Sequence, residues 1–385
     1  MDALHQGGAR TLRVVGIHLG GSQTSRSAVV RGHFAIRRLC PPEQAASVQR
    51  EAWLSWLTSL FPGVVTVPLS GASAPGQCGE GLCSPFVVDS FVHSLGPERD
   101  RDGDTRLMEV ISDLGSADCY VIDGPLGLPP CTGCLLVCPG ASSCQVDEVE
   151  RTFDLWRSMR KRGARFRAPQ PYLDRYWDYF GRHVLEGAGH GLRGEFESPM
   201  GSNRAPLAAR ARYLSQVLQG RLGISSTRIL ETQSTVSAWA WHAAAHRSRA
   251  EDPSGIVSAA AMRAERSGQL LRKTVVDFLV SSGRLGWGAN LSRSLLASGR
   301  LHPEVFLATM SALTLRCLGV GEVFVQDDFL LPFLEGKGGP WLPASAGLLI
   351  AGARDLRLGS PTEHDEVPAE GSSSPGTARN GRLTL

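Results

Sequence analysis

The first apolar pattern in the chain is an unbroken run over residues 12–19, LRVVGIHL, closed by Gly20-Gly21. Short apolar runs bounded by breakers predict buried strands. SAVV at 27–30 is the expected hairpin partner across the GGSQTSR connection, where glycines admit positive φ. From Ala45 to Leu60 the period changes to that of a helix, with Trp53, Trp56, Leu57 and Leu60 on one side. Residues 69–106 are rich in Gly, Ser, Pro and charge. They predict a loop-like insertion in which only SPFVVDSFVHSL is apolar enough to form a short ordered piece.

A second buried strand is expected over Ala117–Leu126, stopped by Gly124-Pro125, which leaves Asp123 at its C-terminal end. Residues 146–186 alternate between helical and irregular pattern. Helical spacing returns over Met200–Leu222, with Leu207, Tyr213, Leu214 and Leu218 on the buried side. It recurs over Ser234–Arg247, Leu270–Val280 and Pro303–Leu318. Short strands are predicted at Thr227–Leu230, ending at Glu231, and at Glu322–Val325, before the turn Asp327-Asp328. Residues 358–385 carry too few apolar side chains to offset their ordering entropy and predict a disordered tail. A leading hairpin followed by alternating helices and strands predicts one α/β domain over residues 11–357 with a mixed sheet, RNase H-like or actin-like.

Composition narrows the class. Of 385 residues, 42% are hydrophobic and 20% charged, as in an ordinary soluble protein. A net charge of +3 is too mild to argue nucleic-acid binding by itself. No apolar run is long enough to span a bilayer, and MDALHQGGART lacks the apolar core of a signal peptide, so no membrane partner is expected and the cytoplasm is the expected compartment. Nine cysteines in a reducing compartment favour metal ligation or free thiols over disulfides.

Three strand ends carry polar groups: His18, Asp123 and Glu231. In open α/β sheets ligands bind outside the carboxyl ends of strands. Two carboxylates and an imidazole there could hold divalent cations that clamp a phosphodiester and activate water; the alternative is three ordinary turn residues. The GGSQTSR turn could cradle a phosphate through Gly20-Gly21-Ser22, as in an actin-like phosphotransferase, although a plain hairpin explains it as well. Cys131, Cys134, Cys138 and Cys144 follow C-x2-C-x3-C-P-x5-C, a spacing that suits zinc or an iron–sulfur cluster, against buried or free thiols. RSMRKRGARFR over 157–167 holds six basic residues and no acid; Arg160, Lys161, Arg162 and Arg165 are candidate phosphate contacts, and a solvated helix face is the alternative. Trp239 and Trp241 suit a core better than a stacking platform, and His242 and His246 form a possible ligand pair with no supporting carboxylate nearby.

VVGIHLGGSQTSRSAVV, VIDGPLGLPPC, PYLDRYWDYF, APLAARARYL and ILETQSTVSAWAW occur in this order. In them the chain resembles the domain of unknown function 429 family, predicted RNase H-like nucleases, in its four-cysteine-loop branch, over residues 12–345. The resemblance implies an RNase H-like core and a phosphodiesterase site dependent on Mg²⁺ or Mn²⁺, with nucleic acid as substrate. It also exposes departures. The first strand of the family ends in Asp where this chain has His18, and its late acid falls at Leu307, with Glu304 one turn earlier as a substitute. TQS after Glu231 departs from an aromatic-and-Pro pattern. The expected function is therefore a divalent-metal nuclease attenuated by its replaced acids, through Asp123, Glu231, His18 and Glu304. The rival is a catalytically inactive nucleic-acid-binding or interaction module with a metal-stapled cysteine loop.

Overall fold

The computed structural model describes residues 9–20, 26–40, 47–66, 82–98, 102–161, 166–185, 190–201, 204–248, 258–288, 291 and 302–323. Gly21, Ser22, Arg162, Arg165, the 324–345 stretch with Asp327-Asp328, and the 358–385 tail lie outside them.

The chain runs through β1 (Arg10–His18), β2 (Ser27–Ile36), β3 (Arg38–Leu39), α1 (Ser47–Leu60), β4 (Val65–Thr66), β5 (Phe86–Leu95), α2 (Gly103–Asp113) and β6 (Cys119–Asp123). It continues through α3 (Asp147–Lys161), α4 (Tyr176–Phe180), α5 (Ala205–Leu222), β7 (Ile229–Thr232), α6 (Ser234–Ser248), α7 (Gln269–Ser281), β8 (Leu285–Trp287) and α8 (Pro303–Gly319). Six strands form a mixed sheet in the order β7-β6-β1-β2-β5-β8, and β3 pairs with β4 apart from it. β1 is antiparallel to β2, and β2 to β5. On the other side β6 runs parallel to β1, and β7 parallel to β6. The mixed α/β architecture expected from the pattern is therefore present.

The stretch read as a loop-like insertion contributes more than a short ordered piece. FVVDSFVHSL forms the ten-residue β5, which lies between β2 and β8. Its pairing partner is distant in sequence, so its apolar pattern alone understated its place in the sheet.

Helices cover both faces. On one, Val14, Val121 and Leu230 pack with Trp53 and Leu57 of α1, Trp241 of α6, Val275 of α7 and most of α8. On the other, Val15, Ile17, Ile122 and Ile229 pack with Leu107 and Ile111 of α2 and Ala211 and Leu214 of α5. This double cover explains the unbroken apolar run of β1: a strand buried on both faces has no polar side to alternate with. Helix α8 is buried around its whole circumference, as a helix apolar on every side must be. It crosses β1 so closely that a Cβ on Gly16 would stand 2.2 Å from the Ala308 carbonyl oxygen. Only glycine permits that approach. Trp239 and Trp241 are both buried in the core, as their pattern suggested.

Candidate functional site at the strand ends

The parallel pairing of β1 and β6 sets His18 directly beside Asp123. The imidazole Nδ1 lies 2.6 Å from Asp123 Oδ2. Ser234, the first residue of α6, completes the arrangement: its backbone N–H donates to Asp123 Oδ1 at 3.0 Å and its hydroxyl donates to Oδ2. Burial pushes the Asp123 carboxyl up, but the His18 and Ser234 contacts outweigh it and hold the group below the ordinary aspartate range. Asp123 is thus an ionised, fully engaged carboxylate. With Nδ1 turned to Asp123, the remaining ring nitrogen of His18, Nε2, has no hydrogen-bond partner among the described residues. The His18 side chain is 16% exposed.

Glu231 stands one register step away. It pairs across β6 and β7 with Ile122, whereas Asp123 pairs with Thr232. Side chains alternate along a strand, so Glu231 projects to the α2–α5 face and Asp123 to the α8 face. There Glu231 Oε2 accepts from the Leu126 N–H at 2.8 Å and from Arg175 Nη1 at 2.8 Å. Arg175 also grips Asp178 through Nε at 2.8 Å and Nη2 at 3.0 Å. All three groups are buried. Burial would lower the Arg175 pKa, but Asp178 and Glu231 raise it well above its ordinary value. This guanidinium fastens α4 to the end of β7, and Glu231 in turn holds the turn after β6, which are structural duties.

The four acid and imidazole positions singled out in the sequence are therefore divided. The structure joins His18 to Asp123 and turns Glu231 away from them. Glu304, in the first turn of α8, is half-buried and lies in the field of His93 and Arg272; the His93 and His302 rings stack at 4.5 Å near it. Leu307 is buried core. The donor set does not fit a divalent ion shared by Asp123 and Glu231, because one carboxylate is spent on His18 and Ser234 and the other faces an arginine across the sheet.

Two residues at this end escaped the sequence analysis. Ser234 sits in the TQS segment, where a hydroxyl residue opening a helix is an ordinary N-terminal signal. Glu195 is buried, its carboxylate is ion-paired with Arg263, and its backbone carbonyl accepts from Gln233 Nε2. Burial raises the Glu195 pKa, Arg263 and Arg204 oppose that, and Asp123 adds to it. Asp123 is thus close enough to act on it electrostatically. Nothing in GLRGEFESP marks that carboxylate.

The remaining candidates lie elsewhere. Cys131 and Cys144 are half-buried, Cys134 and Cys138 exposed, and all four are free thiols. The Cys131 thiol is raised by burial and then by the neighbouring Cys144, Cys138 and Cys134, so the four are electrostatic neighbours. No three His, Cys, Asp or Glu side chains among the described residues are grouped as metal ligands. Cys40 is disulfide-bonded, which departs from the expectation that metal ligation or free thiols are favoured over disulfides. Arg160 and Lys161 close the last turn of α3, whose first turn carries Asp147, Glu148 and Glu150. That charge order suits the helix macrodipole without any ligand. Arg160 also lies 5.1 Å over the Trp156 ring. His242 and His246 approach to 3.2 Å between their Nε2 atoms. A cleft of about 280 Å³, lined by Arg167, Asp174, Tyr179, Arg182 and His183 among others, does not include His18 or Asp123.

Among the described residues no helix is long and apolar enough to cross a membrane. No protein-family model, curated protein or solved structure matches the chain. Fold and site together define a mixed α/β protein with a histidine–carboxylate pair at the carboxyl end of its central parallel strands.

Proposed function

We propose that the chain is an RNase H-like hydrolase of phosphodiester bonds in which His18, oriented by Asp123, accepts the proton of the attacking water. The observation that carries this reading is the 2.6 Å contact from His18 Nδ1 to Asp123, which leaves Nε2 as the ring's remaining basic atom. A carboxylate that fixes one ring nitrogen selects the tautomer and orients the other toward a reacting group. The RNase H-like assignment is supported by the sheet order, with β1, β2 and β5 antiparallel and β6 and β7 added parallel beside β1. The phosphodiester substrate rests on analogy with that fold.

The test is cleavage of a panel of RNA and DNA oligonucleotides with and without a chelator. The reading expects cleavage that survives chelation and falls by on the order of a hundredfold or more in His18→Ala and Asp123→Asn. Cleavage that is lost on chelation and restored by Mg²⁺ or Mn²⁺ would instead return the site to metal chemistry. A second reading, an inactive nucleic-acid-binding or interaction module, is favoured by the engagement of Glu231 with Arg175. Oligonucleotide binding without cleavage under every condition would establish it.

A further inference from the structure

The cysteine loop holds its most exposed apolar residues at its tip. Leu135, Leu136 and Val137 are consecutive, and their exposures are 98%, 69% and 97%. Isolated exposed leucines are ordinary, but three consecutive exposed apolar side chains, two of them almost fully exposed, mark an interaction site. The loop is not a loose strand of chain. Its base is held by the Cys131 N–H donating to the Pro171 carbonyl at 3.1 Å, and 3₁₀ turns form at Pro130–Thr132 and Ala141–Ser143. Its far limb lies along α3, where Arg157 Nη2 reaches the Ser142 carbonyl at 3.5 Å. From there the helix continues to Arg160 and Lys161, both exposed. Of the acids of α3, Asp147, Glu148 and Glu150 belong to its first turn, and Asp154 is ion-paired with Arg157 at 2.8 Å.

We infer that this tip inserts into the surface of an anionic lipid bilayer, with Leu135, Leu136 and Val137 in the acyl boundary and Arg160 and Lys161 on the headgroup phosphates. A bilayer supplies both an apolar layer and negative charge, which are the two chemistries the loop and the helix end present. A fluid surface also accepts a convex tip without a matching pocket. A protein hot spot is built differently, as a packed centre inside a rim that excludes water, and side chains 97–98% exposed have no such rim. The inference does not depend on the strand-end site, which lies in other elements.

The test is co-sedimentation of the full chain with vesicles of phosphatidylcholine alone and with phosphatidylserine added. Binding is expected only with the anionic lipid and is expected to weaken with salt. Changing Leu135, Leu136 and Val137 together to Ser should weaken it tenfold or more. Changing Arg160 and Lys161 to Gln should weaken it by roughly tenfold or more. The serine changes fall on solvated side chains, and the circular dichroism spectrum should match the parent. No binding to anionic vesicles, or binding equal in parent and serine variant, overturns the inference. Self-association of the parent in the absence of lipid, abolished by the serine changes, overturns it in favour of a contact between copies of the chain.

Discussion

Asp123 and Glu231 stand on neighbouring parallel strands one register step apart, and their carboxylates point to opposite faces of the sheet. Each is already bound: Asp123 by His18 and Ser234, Glu231 by Arg175 and the Leu126 N–H. The energetic consequences of the two assignments differ and can be measured separately.

Acid titration checks the first. The Asp123 carboxyl is held below its ordinary range in the folded protein, so it contributes stability above its unfolded pKa of about 3.9. That contribution is lost as pH falls through the lower folded value. The difference in unfolding free energy between the parent and Asp123→Asn should therefore shrink as pH drops from about 5 to about 3. A difference that stays constant over that window would show that the carboxylate charge plays no part.

Arg175 provides the second check. Arg175→Ala leaves Glu231 and Asp178 buried without a counter-charge, and denaturant unfolding should show a loss of about 3–5 kcal/mol. Adding Glu231→Gln and Asp178→Asn should recover part of it, because the stranded charges are removed. A loss under about 1 kcal/mol would mean that the two carboxylates do not depend on this guanidinium.

Gly16 tests the packing of α8 on β1. A methyl group there meets the Ala308 carbonyl and the Ala312 backbone. Gly16→Ala should destabilise by at least about 1–3 kcal/mol, the usual range for overpacking, because both neighbours are backbone and cannot rotate away. Thermal unfolding reads this directly.

The cysteine loop makes a fourth prediction, which rests on the reading that its four-thiol spacing suits zinc or an iron–sulfur cluster. Closing four thiolates on one ion requires the loop to tighten, and binding energy then adds to folding energy. Stoichiometric zinc should raise Tm, and Cys131→Ser should remove the rise. An unchanged Tm with zinc, together with absence of zinc and iron from anaerobically purified protein, would leave these as ordinary thiols.

Much of the sheet was legible in the sequence. The runs of β1 and β6 are short, apolar and stopped by glycine, and the boundaries of α6, α7 and α8 fall within two residues of their periodic patterns. That His18 and Asp123 end their strands could be read from LRVVGIHL and CYVIDGP. Which face each carboxylate occupies could not, because a shift of one residue in register exchanges the faces and the pattern of a doubly buried strand is the same either way. Arg175 was hidden for a related reason. Its partners lie in α4 and on β7, 56 residues apart for the Glu231 contact, and only the fold brings them together. β5 was understated because its apolar stretch is embedded in sequence rich in Gly, Ser and Pro, and its pairing with β2 is not local.

Helix α8 packs on β1, β2, β5 and β6 and is buried except at Glu304 in its first turn. It is also the last helix described, nearly 300 residues downstream of β1. A chain emerging from the ribosome therefore makes the central strands long before it makes the helix that covers one face of them. Through most of synthesis Leu12, Val14, Val30 and Val121 lack their final cover. Contacts this distant in sequence slow folding and leave apolar surface open to other chains. Cover of that face therefore waits for α8, and chaperones that shield apolar strands have a long interval in which to act.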